Sequence, residues 1–261
     1  MRAATMTIFS FCVTAALGIA VHKPGQMASR DRRFDQNRSV HLSKRDGALD
    51  DQTFSGGIIP GLGLTNVSTD IVMPALSAGL GPARIQVGLS NDVVCENNFV
   101  GGIVMAVTEA GCATYLPFTF WNEFEFHDQD QDFSIAEGDT ISIQMSIYAS
   151  SNNGLITSGE VIFNNHRTKS TLRVPLIDQS VLCGTSADWL IIDESSLSDK
   201  FSRMPNFDTI TFNNCAASDI YGKEFKPAMD EGPITFGDDR IVDCSLDGKD
   251  SDQVVCRFTN S

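Results

Sequence analysis

From residue 54 onward the chain is a succession of short runs rich in Val, Ile, Thr and Phe, cut by turn residues about every eight to twelve positions. The runs are ARIQVGLS, NFVGGIVMAV, YLPFTFWNEFEF, DTISIQMSIYAS, EVIFNN, KSTLRVPL, ADWLIID, FDTITFNN, PITF, RIVDCS and QVVCRF. In ISIQMSI the apolar residues recur with period two, which places them on one face of a strand. No window of eleven or more residues carries a helical apolar stripe. Such a chain can bury its apolar faces only by stacking sheets, so the expected fold is all-β, a two-sheet antiparallel β-sandwich. Residues 46–261 are expected to form it as a single domain, without linker or internal repeat.

The first 45 residues do not fit that pattern. Residues 1–20 have a cationic start at Arg2, the apolar run TIFSFCVTAALGIA and small residues at Gly18 and Ala20. This reads as a secretory signal cut after Ala20, too short for the ~18 or more apolar residues of a membrane span. Residues 21–45, VHKPGQMASRDRRFDQNRSVHLSKR, carry seven Lys and Arg against two Asp and end on the dibasic pair Lys44-Arg45. Low apolar content and like charge argue against a core of its own. The segment reads as a propeptide released after Arg45.

Removing 1–45 removes eight of the nineteen basic residues and two of the thirty-three acidic ones. Eleven positive and thirty-one negative groups remain, a formal charge of about −20. Such a surface repels nucleic acid and anionic membrane and suits an acidic medium, where carboxylates are protonated. The expected partners are a polypeptide ligand or substrate and the chain's own basic propeptide on an acidic face, with the mature protein a monomer.

Cys12 leaves with the signal, and Cys95, Cys112, Cys183, Cys215, Cys244 and Cys256 remain. Six cysteines in a secreted chain read as three disulfides, with fifteen possible pairings. Cys244 and Cys256 bracket SLDGKDSDQVV, a hairpin pattern, and are paired on that ground. Asn66-Val67-Ser68 is a glycosylation acceptor where exposed. The mature chain has two histidines, His127 and His166, without zinc-ligand spacing, and neither G-x-S-x-G nor a P-loop. The acidic run DQDQD at 128–132 mimics the start of a calcium loop, but Phe133 replaces the required Gly and Asp139 the closing Glu. It reads as a solvated loop; no metal or cofactor is expected, and the available chemistry is that of carboxylates and amides.

The order of V-G-L (87–89), Cys95, WNEFEF (121–126), DFSIAEGDTISIQMS (132–146), Cys183, ADWLIID (187–193) and FDTITFNNC (207–215) resembles the eqolisins, the fungal glutamic peptidases. The resemblance covers essentially all of residues 54–261. It implies an acid-active β-sandwich endopeptidase inhibited by a basic propeptide. It also implies a Cys95–Cys183 bridge, which leaves Cys112 with Cys215. In the family a glutamate activates water as general base, and a glutamine amide on a neighbouring strand binds the oxyanion.

Carried over residue by residue, the family glutamine falls at Gly101, six residues after Cys95, and the glutamate ending A-E-[WF]-I-[VI]-E falls at Ile192. Neither side chain can donate, accept or carry a proton. Gln86, Ser90 and Ser55-Gly56-Gly57 also depart from the pattern, whereas Trp121, Glu123 and Phe124 keep it and are candidates to line the substrate groove, the alternative being that they only pack the sheet. The primary expectation is a secreted peptide-binding member with a degenerate catalytic pair. The alternative is an active acid endopeptidase using Asp193, Asp188 or Glu123, with Gln86 as a substitute amide. A third, a carbohydrate-binding sandwich, rests on fold analogy. Asp193 is one residue past the family position and so belongs to the other face of its strand unless a bulge intervenes.

Overall fold

The computed structural model describes residues 54–259 except 61–62, 78, 80, 91–97, 109, 123, 127–132, 150–154, 183–185, 194–203, 231–233, 237–238 and 249–250. The signal, the propeptide, the DQDQD run, Cys95, Cys183 and Glu123 therefore lie outside the described residues.

The fold is a sandwich of two antiparallel sheets. One sheet joins β1 (Phe54–Pro60), β3 (Ala83–Ser90), β4 (Phe99–Val107), β5 (Ala113–Trp121), β6 (Phe124–Phe126), β10 (Ser186–Asp193) and β13 (Met229–Asp230). Its seven strands run in the order β13-β1-β10-β3-β4-β5-β6. The other joins β2 (Leu64–Val72), β7 (Thr140–Ala149), β8 (Ile156–Asn165), β9 (Ser170–Leu176), β11 (Thr209–Asp219), β12 (Glu224–Phe225), β14 (Ile234–Phe236), β15 (Asp239–Leu246) and β16 (Val254–Phe258). Its order is β14-β15-β16-β11-β2-β7-β8-β9, with β12 against β11.

The two sheets read differently for a physical reason. β7 alternates, with Ile141, Ile143, Met145 and Ile147 buried and the residues between them turned to solvent. β4 and β10 are apolar or small almost throughout and buried along most of their length, as strands covered on both faces are. Every strand-like run named from sequence contains a strand, but β1 and β2 were not among them. FSGGIIP holds two glycines and LTNVSTDIV five polar residues, so neither has the continuous apolar signal that marks the others.

The core lies between the sheets. Phe99, Trp121, Trp189, Phe163 and Phe212 are fully enclosed there, with Phe99 and Trp121 ring centroids 4.6 Å apart. Trp189 Nε1 donates to the Ser68 carbonyl of the opposite sheet at 3.1 Å, which fixes which face of β10 points inward.

Cys244 and Cys256 face each other across β15 and β16 and form a disulfide. Cys112 is also disulfide-bonded, but not to Cys215, which is a buried free thiol. The expected Cys112–Cys215 pair is thus corrected. A bulge between Asn213 and Ala216 turns Cys215 into the core, where it meets Thr69 Oγ1 at 3.6 Å. Asn214 takes the bulge's left-handed backbone, φ 54°, and its amide donates to Asp70 Oδ2 at 2.7 Å.

Asp139 does not close a calcium loop. Its buried carboxylate receives the Ala136 N–H at 2.9 Å, the Asn165 amide at 2.7 Å and the Arg167 guanidinium. At the far end of the nine-stranded sheet, β9 carries Pro175 and Arg173, the latter paired with Glu160 at 3.0 Å.

Candidate functional site

β10 lies between β1 and β3, with no bulge in either register. Strict alternation therefore holds along it. Ala187, Trp189, Ile191 and Asp193 face the inter-sheet core, and Asp188, Leu190 and Ile192 face outward, away from the other sheet. Asp193 sits opposite Ala83 on the inward face, at the strand end and 7% exposed. It shares no face with Asp188 or Ile192.

Asp188 is the outward carboxylate of this strand. It lies opposite Gly88 on β3 and Ile58 on β1, and it is 3% exposed. One residue pair along the ladder on the same face, Gln86 pairs with Leu190, and its Nε2 donates to Asp188 Oδ1 at 3.3 Å. An amide and a carboxylate from adjacent strands thus meet on the outward face. Gly88 makes room for them: a Cβ there would lie 2.7 Å from Asp188 Oδ1 and 2.9 Å from Val100 Cγ1. Val100, on the next strand, therefore flanks Gly88 opposite Asp188.

Gly101 is on the other face. It pairs with Val87 and Thr119, both inward, and a Cβ on it would meet Val161 Cγ1 of the opposite sheet at 2.7 Å. Gly102 does face outward, but a Cβ on it would fall 1.9 Å from the Ile85 carbonyl oxygen. Along β4, FVGGIVMAV, no residue has a side chain that can donate a hydrogen bond. Ile192 lies opposite Arg84, whose guanidinium stacks over the Phe118 ring at 4.5 Å.

Trp121 does not line a groove. It is fully buried among inward residues, and its Nε1 donates to the Ser180 carbonyl at 2.9 Å. Of its two readings, groove lining is corrected and sheet packing is what the structure has, because position 121 has the same parity as Phe99 and packs against it. Phe124 pairs with Trp121 in the β5–β6 ladder. Among the described residues no group of three or more His, Cys, Asp or Glu is placed to hold a metal.

What sequence counting missed is the Gln86–Asp188 contact and the outward placing of Val100. The usable signal was parity: if Phe99 is a buried aromatic, then Val100 faces the other way.

The profile of the peptidase A4 family matches residues 52–258. No curated protein sequence matches the chain. Among solved structures, scytalido-glutamic peptidase with a transition state analog inhibitor superposes with TM-score 0.66 at 22% identity, over 81% of this chain and 100% of that one. SCP-B, a member of the eqolisin family in complex with the tripeptide Ala-Ile-His, gives 0.62 at 19% identity, over 81% and 100%. Aspergilloglutamic peptidase from Aspergillus niger gives 0.55 at 23% identity, over 69% and 99%. These likenesses establish a common sandwich, and the match of the family profile across most of the sequence establishes descent: the chain belongs to the peptidase A4 family, the eqolisins.

Proposed function

We propose that this protein is a secreted, acid-medium eqolisin that binds extended polypeptide on the outward face of its seven-stranded sheet and has lost the family's efficient catalytic pair. The observation that carries the reading is β4, which offers no amide at Val100, Gly101 or Gly102, whichever of these corresponds to the family glutamine. One oxyanion donor is worth about 10²- to 10³-fold in rate, so its loss leaves binding ahead of chemistry. Support for the ligand class comes from the related solved proteins, described with a peptide-based transition state analog and with a tripeptide. Ile58, Val100, Phe118 and Leu190, buried although outward, form an apolar strip beside Asp188 suited to a covering chain. Before maturation the basic segment 21–45 is a charge-complementary partner for the acidic mature chain. The Cys244–Cys256 disulfide suits an oxidising compartment and so supports secretion.

One contact favours a second reading. Asp188 as base and Gln86 as oxyanion donor would be a shortened dyad on adjacent strands, 3.3 Å apart. The experiment is incubation of the mature protein with an unfolded polypeptide between about pH 2 and 5, the range in which carboxylates titrate. The expected result is saturable binding with slow or no cleavage. Rapid cleavage abolished by Asp188→Asn and cut tenfold or more by Gln86→Ala would replace the binding reading with the second one.

A further inference from the structure

The outward face of the nine-stranded sheet holds a second, separate feature. Asn66, Ser68, Gln144, Ser146, Ser218 and Glu224 line an open groove of about 280 Å³. That is just under the roughly 300–1,000 Å³ of ligand pockets, room for a sugar ring or two rather than an extended chain. Its polar side chains are hydroxyl, amide and carboxylate, which match the alternating donors and acceptors of a pyranose, and Val67, Met145, Ala216 and Ala217 complete the lining.

Asn66 stands on its rim. The side chain is exposed, and its Nδ2 donates to Thr65 Oγ1 at 3.0 Å and Ser218 Oγ at 3.2 Å. Its backbone is paired with Ser146 on one side and Ser218 on the other, so Asn66 is mid-sheet and its position is fixed. Asn66-Val67-Ser68 is also the one Asn-x-Ser/Thr sequence, x not Pro, within residues 46–261.

We infer that Asn66 is N-glycosylated and that the first N-acetylglucosamine lies in this groove, over Ser68, Gln144 and Ser146. The inference rests on the proposed secretion, because the donor, a lipid-pyrophosphate-linked oligosaccharide, belongs to the secretory compartment. In the transfer a bond forms between the anomeric carbon and Asn66 Nδ2, the bond from that carbon to the pyrophosphate oxygen breaks, and the amide loses one proton. Transfer precedes folding, since folded β2 has a hydrogen-bonded strand on each side. The linked nitrogen keeps one N–H, enough for one of its two present acceptors. Gln144 and Glu224, both exposed, are then free to meet the sugar hydroxyls. The groove and Asp188 are on opposite outer faces of the sandwich, so the glycan leaves the peptide face open.

The test uses the full chain secreted from a eukaryotic host. Peptide mass mapping should find hexosamine on Asn66. An endoglycosidase that leaves one N-acetylglucosamine should give a protein melting roughly 2–4 °C above Asn66→Gln. That increment should shrink in a Gln144→Ala background, as coupled neighbours do. Peptide binding should be the same in all forms. A protein that is secreted with Asn66 bare overturns the inference and leaves secretion standing. A glycan whose single-sugar form melts no higher than Asn66→Gln overturns the seating in the groove. A chain retained in the cell with Asn66 bare counts against secretion and against this inference with it.

Discussion

Asp139 is a carboxylate that the fold needs ionised. Burial pushes its pKa up, but the Arg167 guanidinium, the Ala136 N–H and the Asn165 amide outweigh that and hold it below the usual carboxylate range. A group whose folded pKa is depressed contributes stability above its unfolded pKa, ordinarily about 3.9, and that stability is lost as pH falls through the folded value. Arg167 is more than half exposed and adds little on its own. The larger loss in Asp139→Ala is the stranding of the Ala136 and Asn165 donors, together about 2–3 kcal/mol. Thermal melting at neutral pH should drop by roughly 4–10 °C, and the variant should lose part of the wild-type decline below about pH 4. A variant melting like the wild type would remove Asp139 from this role.

Cys215 is the opposite case, a group kept neutral. Burial pushes its thiol up to about 12, so no thiolate forms at any ordinary pH. A thiol reagent should label Cys215 only after unfolding, as located by peptide mapping; recovery of Cys215 in a disulfide would contradict the structure. Sequence could not give this state. Pairing by implication assumed that every mature cysteine is bonded, whereas the bulge at Asn213–Ala216 decides that Cys215 points into the core.

The strand is where the catalytic question turns. Gly101→Gln drives a side chain into Val161 and Met145 across the sandwich, and it should cost about 3 kcal/mol by overpacking and burial of an unpaired amide, without creating activity. Val100→Gln places the amide on the outward face, across Gly88 from Asp188. Acid cleavage of an unfolded polypeptide should then rise by about 10²- to 10³-fold, and Asp188→Asn should remove the gain. If neither variant cleaves, Asp188 is not a usable base. These strands also show what sequence can carry. Alternation within ADWLIID correctly assigned Asp188 and Ile192 to one face and Asp193 to the other, because nothing interrupts that strand. Counting six residues from Cys95 to Gly101 runs through the strand's start, and a residue's face is set by where its strand begins rather than by distance from a cysteine. Trp121 was left between two readings for a similar reason: an aromatic motif announces a strand but not which side it packs on.

At the scale of the whole molecule the charge dominates. With eleven positive and thirty-one negative groups after residue 45, self-repulsion grows as pH rises through the carboxylate range. Asp139 sets a limit from the acid side. Stability of the mature chain should therefore peak in mild acid, with melting temperature falling toward pH 7 and again below about pH 4. Added salt should flatten the neutral side by screening. A melting temperature constant from pH 4 to 7 would contradict this. The all-β class and the two sheets were legible from run length and alternation, since those follow from burial of one face. Strand order was not, because it depends on pairings between segments such as β2 and β11 that lie far apart in the chain.

The edge strand β9 acquires a different meaning in that setting. At its isoelectric point, about 4.5 for the whole sequence and lower once the basic residues of 1–45 are removed, a protein has no net charge to hold its copies apart. Colloidal stability must then come from the backbone. Pro175 withholds an N–H from any strand that would dock along β9, and Arg173 keeps its charge at every acid pH. The end of the larger sheet is thus blunted by covalent means that no pH can titrate away.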